Sequence, residues 1–500
     1  MSAHARTGQV AAVDLGATSG RVIVGDFAPG RIELTHVARF PNDPIHLWDG
    51  TTTSMHWNLP YLFACASAGL RTAAQQYGNL RGIGVDSWAV DYALLRRGKM
   101  LGLPHHYRDE RCARGVAAVH HTIDAAQLYV RNGLQHLPFT TIYQLAAERD
   151  GGLLDVADTA LLIPDVINYW LTGALGTERT NASTTGLLCT DGTWDTELLT
   201  TLGMPADLFP ALIEPGHLMG TVLPQVRQRL GLDASVQVNA VASHDTASAV
   251  AAIPMDPDSA AYISCGTWGL VGVEIAEPVL SQAGRQQNFT NEVGVDGRIR
   301  YLHNVMGLWL LSESLRSFAS TGQQIDLDSA LAQATATAMT FEVFDTNDPM
   351  FLGAGDMPGR IGSWYRDRGL RVPEGPAAIV RVIIESLANA FATSVHHAAE
   401  LSGVKVTQIN LVGGGSLNTL LCQLTADRSG LPVLAGPVEA TAIGNLLISA
   451  RTHGLVSGDH AELRELVGHH FPPLRYDPRD TPTAGPGTSA TRPSPIPRRI

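Results

Sequence analysis

Basic residues are in short supply. Lys and Arg number 35 against 47 Asp and Glu, a net charge of −12. Nucleic acid or an anionic membrane is therefore not expected as the main partner, although a single nucleotide site can still be positive on an acidic protein. Cysteine is also sparse. Cys65, Cys112, Cys189, Cys265 and Cys422 are odd in number, widely spaced and in no CxxC pair. That excludes a disulfide framework and a cysteine zinc site, and it suits a reducing compartment. Apolar stretches such as Leu161–Ile163 are far too short to cross a bilayer, and "MSAHARTG" lacks the apolar core of a secretory leader. A cytoplasmic location is expected.

What is present is an ordinary globular composition, 45% hydrophobic with 50 glycines, in a chain of 500 residues. That length suits two or three domains. "AAVDLGATSGRVIVGDF" (11–27) reads as strand, tight turn and strand. A helical pattern follows over Asn58–Gln76, then "LRGIGVDSWAVDYALL" returns to strand, and Leu153–Leu171 reads as helix. "ASVQVNAVASHDTASAVAAI" reads as strand, polar turn and small-residue helix, and "PMDPDS" (254–259) breaks the chain. Directly after the break, "AAYISCGTWGLVGVEIA" repeats the opening strand–turn–strand half a chain later. A chance match in a glycine-rich chain is one explanation. Duplication is the other, and it predicts two similar α/β domains across a cleft. "AAIVRVIIESLANAFATSVHHAAEL" is a strong helical pattern, and "QINLVGGGSLN" runs a strand into a glycine turn. The expected division is an extension over 1–8, an N-terminal domain over 9–253, a C-terminal domain over 254–475 and a disordered Pro/Ser/Thr-rich tail over 476–500.

Three stretches carry chemistry. In the first, Gly16, Thr18, Ser19, Gly20 and Arg21 offer converging amides, hydroxyls and a charge to phosphate oxygens, and Asp14 suits a Mg²⁺ ion beside them. No GKT or GKS follows, so this is not a Walker A loop; a polar hairpin tip is the alternative. In "LVGGGSLN" (411–418) three glycines suit close approach to the nucleoside half of ATP, with Asn418 nearby, or else a plain turn before a helix. In "ASHDTASAV" (242–250) Asp245, beside His244, is either a helix cap or a general base that takes a proton from an attacking alcohol. Asp86 and Asp91 with Trp88 between them could hold a sugar, or Trp88 could be core. The histidine pairs, among them His105/His106 and His396/His397, have no metal-ligand spacing. Together the phosphate turns and the base follow the logic of an actin-like ATPase that clamps ATP between its halves.

From about residue 9 to about 450 the chain resembles the FGGY carbohydrate kinases. The resemblance rests on "VDLGATSGRV", "DSWAVDYALL", "GLPHHYRDERC", "RNGLQHLPFTTIYQL", "TNASTTGLL", "VASHDTASAV", "ISCGTWGLVGVE", "NFTNEVG", "NVMGLWLL" and "LVGGGSLNTLL" in the family's order. It implies an α/β fold of two duplicated actin-like ATPase (ribonuclease H-like) domains facing each other across a catalytic cleft. "LPFTTIYQL", "TNASTT" and "SHDTASAV" resemble the branch that phosphorylates L-rhamnulose at C1 with ATP and Mg²⁺. L-fuculose, a xylulose, or a sugar-binding regulator without transfer are the other readings. The resemblance implies Asp245 as proton acceptor, with His244, Thr246, Asn304 and Ala89 at the sugar. It places Ala17, Thr18, Ser19, Gly20, Arg21, Thr267, Gly414 and Asn418 at ATP, and Asp14 at Mg²⁺ through water. A monomer or homodimer is expected. Two departures stand out: the family's "DTWGVD" reads "DSWAVD", which puts Ala89 where a glycine lines the sugar, and "CADAC" reads "TADRS" (425–429).

Overall fold

The computed structural model describes residues 7–48, 50–78 and 80–479. The first half builds one mixed sheet from β1 (Gly8–Leu15), β2 (Ser19–Ala28), β3 (Arg31–Pro41), β4 (Leu80–Ser87), β5 (Leu218–Thr221) and β6 (Gln237–Asn239). They lie in the order β3-β2-β1-β4-β6-β5. Central β1 is buried on both faces, which is why it reads as a continuous apolar run rather than an alternation.

The second half builds a sheet from β7 (Ala260–Cys265), β8 (Trp268–Ile275), β9 (Thr290–Val293), β10 (Ile299–Met306), β11 (Gln408–Val412), β12 (Val433–Ala435) and β13 (Leu474–Tyr476). Their order is β9-β10-β8-β7-β11-β12-β13. From β3 to β5 the first sheet pairs antiparallel, antiparallel, parallel, parallel, antiparallel. From β10 to β13 the second sheet repeats that series. The duplicated α/β architecture expected from the two strand–turn–strand segments is what the chain forms. The second sheet adds β9 at its edge.

Helices repeat the correspondence. α1 (Leu59–Gln76), capped by the Asn58 side chain, packs Leu62, Ala66 and Leu70 with Val13 and Val22 of β1 and β2. Two short helices then exchange partners: α2 (Asp245–Ala251) and α4 (Ala440–Thr452), with α3 (Pro376–Ser402) between them in the chain. α4, from the second half, lays Ala442, Ile443 and Leu446 on Val10, Ala12 and Ile23 of the first sheet. α2, from the first half, lays Ala249 and Val250 among Ala260, Tyr262 and Val412 of the second. A cut at residue 254 therefore does not separate the two halves in space. α3 backs the second sheet as α1 backs the first, with Val382, Ile383 and Leu387 in the same core as Val271 and Val305. It is the one helix among the described residues long and apolar enough to cross a membrane, and 72% of its most apolar window is buried inside the protein.

Three local expectations change. Leu153–Leu171 is not one helix: Thr159–Leu162 is a strand paired with Tyr92–Arg96, and the helix is Ile163–Thr172. A short, mostly buried apolar run fits either element, and the edge of Tyr92–Arg96 not paired with Lys99–Met100 took it as strand. The tail does not begin at 476, because Tyr476 closes β13 and Arg479 ion-pairs with Asp427 at 2.6 Å. Gly8 already belongs to β1. Residues 1–6 and 480–500 lie outside the described residues.

The crossing of α2 and α4 leaves no room for a side chain at Gly444. A methyl there would stand 1.8 Å from the Ser248 carbonyl oxygen. Gly444→Ala should cost about 1–3 kcal/mol by forcing backbone apart. A lowered urea midpoint is expected, and an unchanged one would mean that the helices slide freely.

Candidate active site

Both strand–turn–strand units open on one cavity of about 440 Å³ between the sheets. The first turn is held shut by Gly16 N–H donating to Ser19 O at 3.0 Å. Asn42, at the end of β3, braces it from outside by donating Nδ2 to Gly16 O at 2.8 Å. Ala17, Thr18 and Ser19 are thereby presented to the cavity. The second turn, Cys265 to Trp268, is closed by Gly266 N–H to Trp268 O at 2.8 Å and presents Thr267.

The glycines of "LVGGGSLN" divide their work. A side chain at Gly413 would stand 2.9 Å from Cys265 O, and one at Gly415 would stand 2.4 Å from Cys265 Sγ. Those two let the loop lie on the second turn. Gly414 meets nothing within 4 Å and lines the cavity.

Sheet register sets a row of charge. Asp86, Asp14, Arg21 and Arg39 are directly opposite one another across β4, β1, β2 and β3. Arg21 Nε donates to Asp14 Oδ2 at 2.8 Å, and Arg21 NH1 lies 2.7 Å from Glu439 at the start of α4. Asp86 is fully buried and accepts from Asn445 of α4, while its Oδ1 has no protein partner. Burial, reinforced by the charge of Asp14, pushes the Asp86 carboxyl well above the ordinary range.

Asp245 begins α2, beside this row. Ser87 N–H donates to Ser243 O at 2.9 Å, which carries the β4 edge onto this segment. The Asp245 side chain is 30% exposed and opens on the cavity. Thr246 Oγ1 donates to Asp245 Oδ1 at 3.1 Å, and His244 Nε2 lies 3.5 Å from the same oxygen. Burial raises the Asp245 carboxyl against the opposing His244, and the charge of Asp14 adds to the rise.

The remaining wall is "DSWAVD" and its neighbours. Asp91 N–H donates to Ala89 O at 2.9 Å, closing a three-residue turn on Val90 at φ 67°. For a β-branched residue that conformation is strained by about 1–3 kcal/mol. Thr141 Oγ1 holds it by donating to Val90 O at 2.6 Å. Asp86 and Asp91 do not face the cavity, so neither can hold a sugar there. Asp91 instead accepts from the indoles of Trp57 and Trp88 at 2.6 and 3.0 Å and from Gln144 at 2.7 Å. Its burial raises the carboxyl to about 6. Trp88, Ala89 and Val90 line the cavity above this hub.

Two expected site residues lie elsewhere. Gly20 is buried one step into β2, where a side chain would stand 2.2 Å from the Phe40 ring. Asn418 spends its side chain on the helix Thr419–Ser429, accepting from Leu421 N–H at 3.0 Å. The other expected residues, from Asp14 through Thr267, Asn304 and Gly414, line the one cavity.

Sequence reading missed several others. Arg39 lines the cavity with no hydrogen bond or ion pair to the described residues; placing β3 beside β2 would have pointed to it. Gln135 Oε1 accepts from Asn304 N–H at 3.2 Å and Nδ2 at 3.1 Å, which leaves its buried Nε2 without a protein partner. Leu417, 68% exposed, stands beside Gly414 in the wall. Glu292 comes from β9. Leu417, Gln135 and Glu292 lie in stretches already singled out, but their place in the cavity is not local, because β3, the loop at 135 and β9 meet only in the fold.

Residues 9–252 match the N-terminal domain, and residues 261–453 the C-terminal domain, of the FGGY family of carbohydrate kinases. The chain is 37% identical over 473 residues to a rhamnulokinase of Bacteroides thetaiotaomicron, covering 94% of this chain and 96% of the relative. It is 40% identical over 449 residues to a rhamnulokinase of Klebsiella pneumoniae, covering 88% and 89%. Among solved structures, a xylulose kinase from Lactobacillus acidophilus superposes with TM-score 0.76 at 18% identity, over 94% of each chain. A glycerol kinase of Plasmodium falciparum with ADP superposes with TM-score 0.72 at 14% identity, over 95% of this chain and 94% of that one.

Proposed function

The chain belongs to the FGGY family of carbohydrate kinases, and on that footing we propose that it phosphorylates L-rhamnulose at the C1 hydroxyl. The products are L-rhamnulose 1-phosphate and ADP. One observation carries the reading: two phosphate turns from duplicated sheets and a carboxylate on a third segment converge on a single cavity. The 37–40% identity to rhamnulokinases over most of both chains supports the choice of sugar.

ATP would lie with its phosphates between the two turns. The hydroxyls of Thr18, Ser19 and Thr267 would donate to phosphate oxygens, with Arg21 and Arg39 supplying charge. Gly414 leaves open space for the nucleoside, and the uncovered Leu417 offers an apolar face to a flat base. A magnesium ion fits the residues present: Asp14 and Asp245 bring carboxylate oxygens to the cavity, and Asp86 beside Asp14 keeps an Oδ1 with no protein partner. Asp14 would hold it, directly or through water, and the bound ion would neutralise phosphate charge.

Asp245 acts as general base. Thr246 and His244 both face Oδ1, so Oδ2 is the oxygen left to take the C1 hydroxyl proton. As that proton leaves, the sugar oxygen attacks the γ-phosphorus. The new P–O bond forms while the bond to the β,γ-bridging oxygen breaks, and ADP departs. Gln135 Nε2, Asn304, His244 and Thr246 would bind sugar hydroxyls, with Trp88 and Ala89 shaping the pocket. Ala89 favours one second reading, a different ketose. An added methyl in a tight pocket discriminates by about 1–3 kcal/mol.

An ADP-release assay across L-rhamnulose, L-fuculose and D-xylulose decides between them. L-rhamnulose should give the highest kcat/KM, and Asp245→Asn should lower kcat by roughly 10²–10⁴-fold. A higher kcat/KM with another ketose would reassign the sugar. Sugar binding without turnover would point to a regulator, and near-normal kcat in folded Asp245→Asn would remove the base assignment. The pH profile has a defined sign. The base must be ionised, and its carboxyl is raised, so activity should fall with decreasing pH on a limb above the ordinary 3.8. A limb at or below 3.8 would contradict the buried setting.

A further inference from the structure

The base has a neighbour whose own partners come from the other half of the chain. His244 belongs to the first half, bridged to Ser87 of β4. Its Nδ1 lies 3.1 Å from NH2 of Arg300 on β10. Arg300 is fully buried, and the same NH2 lies 3.0 Å from Glu292 Oε2. Glu292 and Arg300 are directly opposite on β9 and β10, so sheet register fixes the pair. Glu292 Oε2 is itself 3.3 Å from His244 Nδ1. Arg300 is further pinned by donating Nε and NH2 to Val293 O, each at 3.2 Å.

A guanidinium has only hydrogens to give. Towards Arg300, His244 Nδ1 must therefore accept, which puts the proton of the neutral ring on Nε2. That nitrogen faces Asp245 Oδ1, the oxygen already taking the Thr246 hydroxyl. We propose that Arg300 and Glu292 are positioning residues for phosphoryl transfer, holding His244 as its Nε2–H tautomer against one oxygen of Asp245 and leaving the other free for the substrate proton. Each member needs the other. Without Glu292, buried Arg300 loses the carboxylate 3.0 Å from its NH2, and the acid opposite it on β8, Glu274, is already paired with Arg464. Without Arg300, Glu292 accepts a hydrogen bond from Nδ1–H, and the lone pair of Nε2 then faces the Asp245 carboxylate. Because the pair stands on the second sheet and the base on the first, the base is fully set only when the two halves are together.

The catalytic consequence rests on Asp245 being the base; the tautomer does not. Protein labelled with ¹⁵N-histidine tests the tautomer directly, with the His244 signals identified by their loss in His244→Asn. The expected spectrum has a protonated Nε2 and an unprotonated Nδ1, and a protonated Nδ1 would overturn the proposal. Arg300→Met should move the proton to Nδ1 and lower kcat about tenfold or more with KM for ATP unchanged. Arg300→Lys, which keeps a donor, should restore part of the loss. Glu292→Gln, nearly the same size, should lower kcat in the same way. Folded Glu292→Gln with normal kcat would also overturn it. The wild-type spectrum needs neither sugar nor ATP, and His244→Asn serves only to assign its signals, so it judges this device even if the ketose assay rejects the assigned sugar.

Discussion

Two short helices cross with backbone against backbone, Gly444 of α4 on Ser248 of α2. Each has been lent by one half of the chain to the sheet of the other. Much of the site depends on that crossing. Asp245 is the first residue of α2, and Glu439 is the cap of α4, so both helices open on the same cavity. Separating the sheets would pull the base and the partner of Arg21 in different directions. A clamp built this way ties its chemistry to its own closure, which suits a reaction that must keep water from the nucleotide.

Around that crossing, charge is placed by register rather than by sequence proximity. Four strands put two acids and two arginines in one line, and the arginine nearest the acids is committed to both Asp14 and Glu439. Arg39 lines the cavity without a side-chain partner among the described residues. Burial and the charge of Asp14 push the Asp86 carboxyl up, and a cation bound beside this row would ease that crowding. The strained turn at Val90 and the Asp91 hub beneath it fix the wall of the cavity formed by Trp88 and Ala89.

Much of the architecture was legible in local patterns. The repeated strand–turn–strand segments announced two similar sheets, and the small or hydroxyl residues in their turns line the cavity between them. Asp245 was legible because an acid at a strand-to-helix junction has few roles. Other features were set by distant packing. Gly20 and Asn418 sit in loops that look chemical, but Phe40 and the helix at 419–429 claim them. Of the three glycines at 413–415, Gly415 serves packing on Cys265, Gly413 both packs on Cys265 and lines the cavity, and Gly414 only lines it. Arg39 and Arg300 lie outside the quoted stretches, and Gln135 and Glu292 lie inside two of them without a local sign of what they face, since their partners come from strands and loops far apart in the chain. The strand at 159–162 and the ordered residues near 476 depended on which sheet edge stood open to receive them.

The central claim is that Asp245 directs the C1 oxygen of a ketose onto the γ-phosphorus of ATP inside this clamp. ³¹P NMR of the reaction with L-rhamnulose tests it most directly, because it reports where the phosphoryl group goes. The account predicts a phosphate ester signal split into a triplet by the two C1 protons. Inorganic phosphate alone, or a doublet from an ester on a carbon bearing one proton, would contradict it.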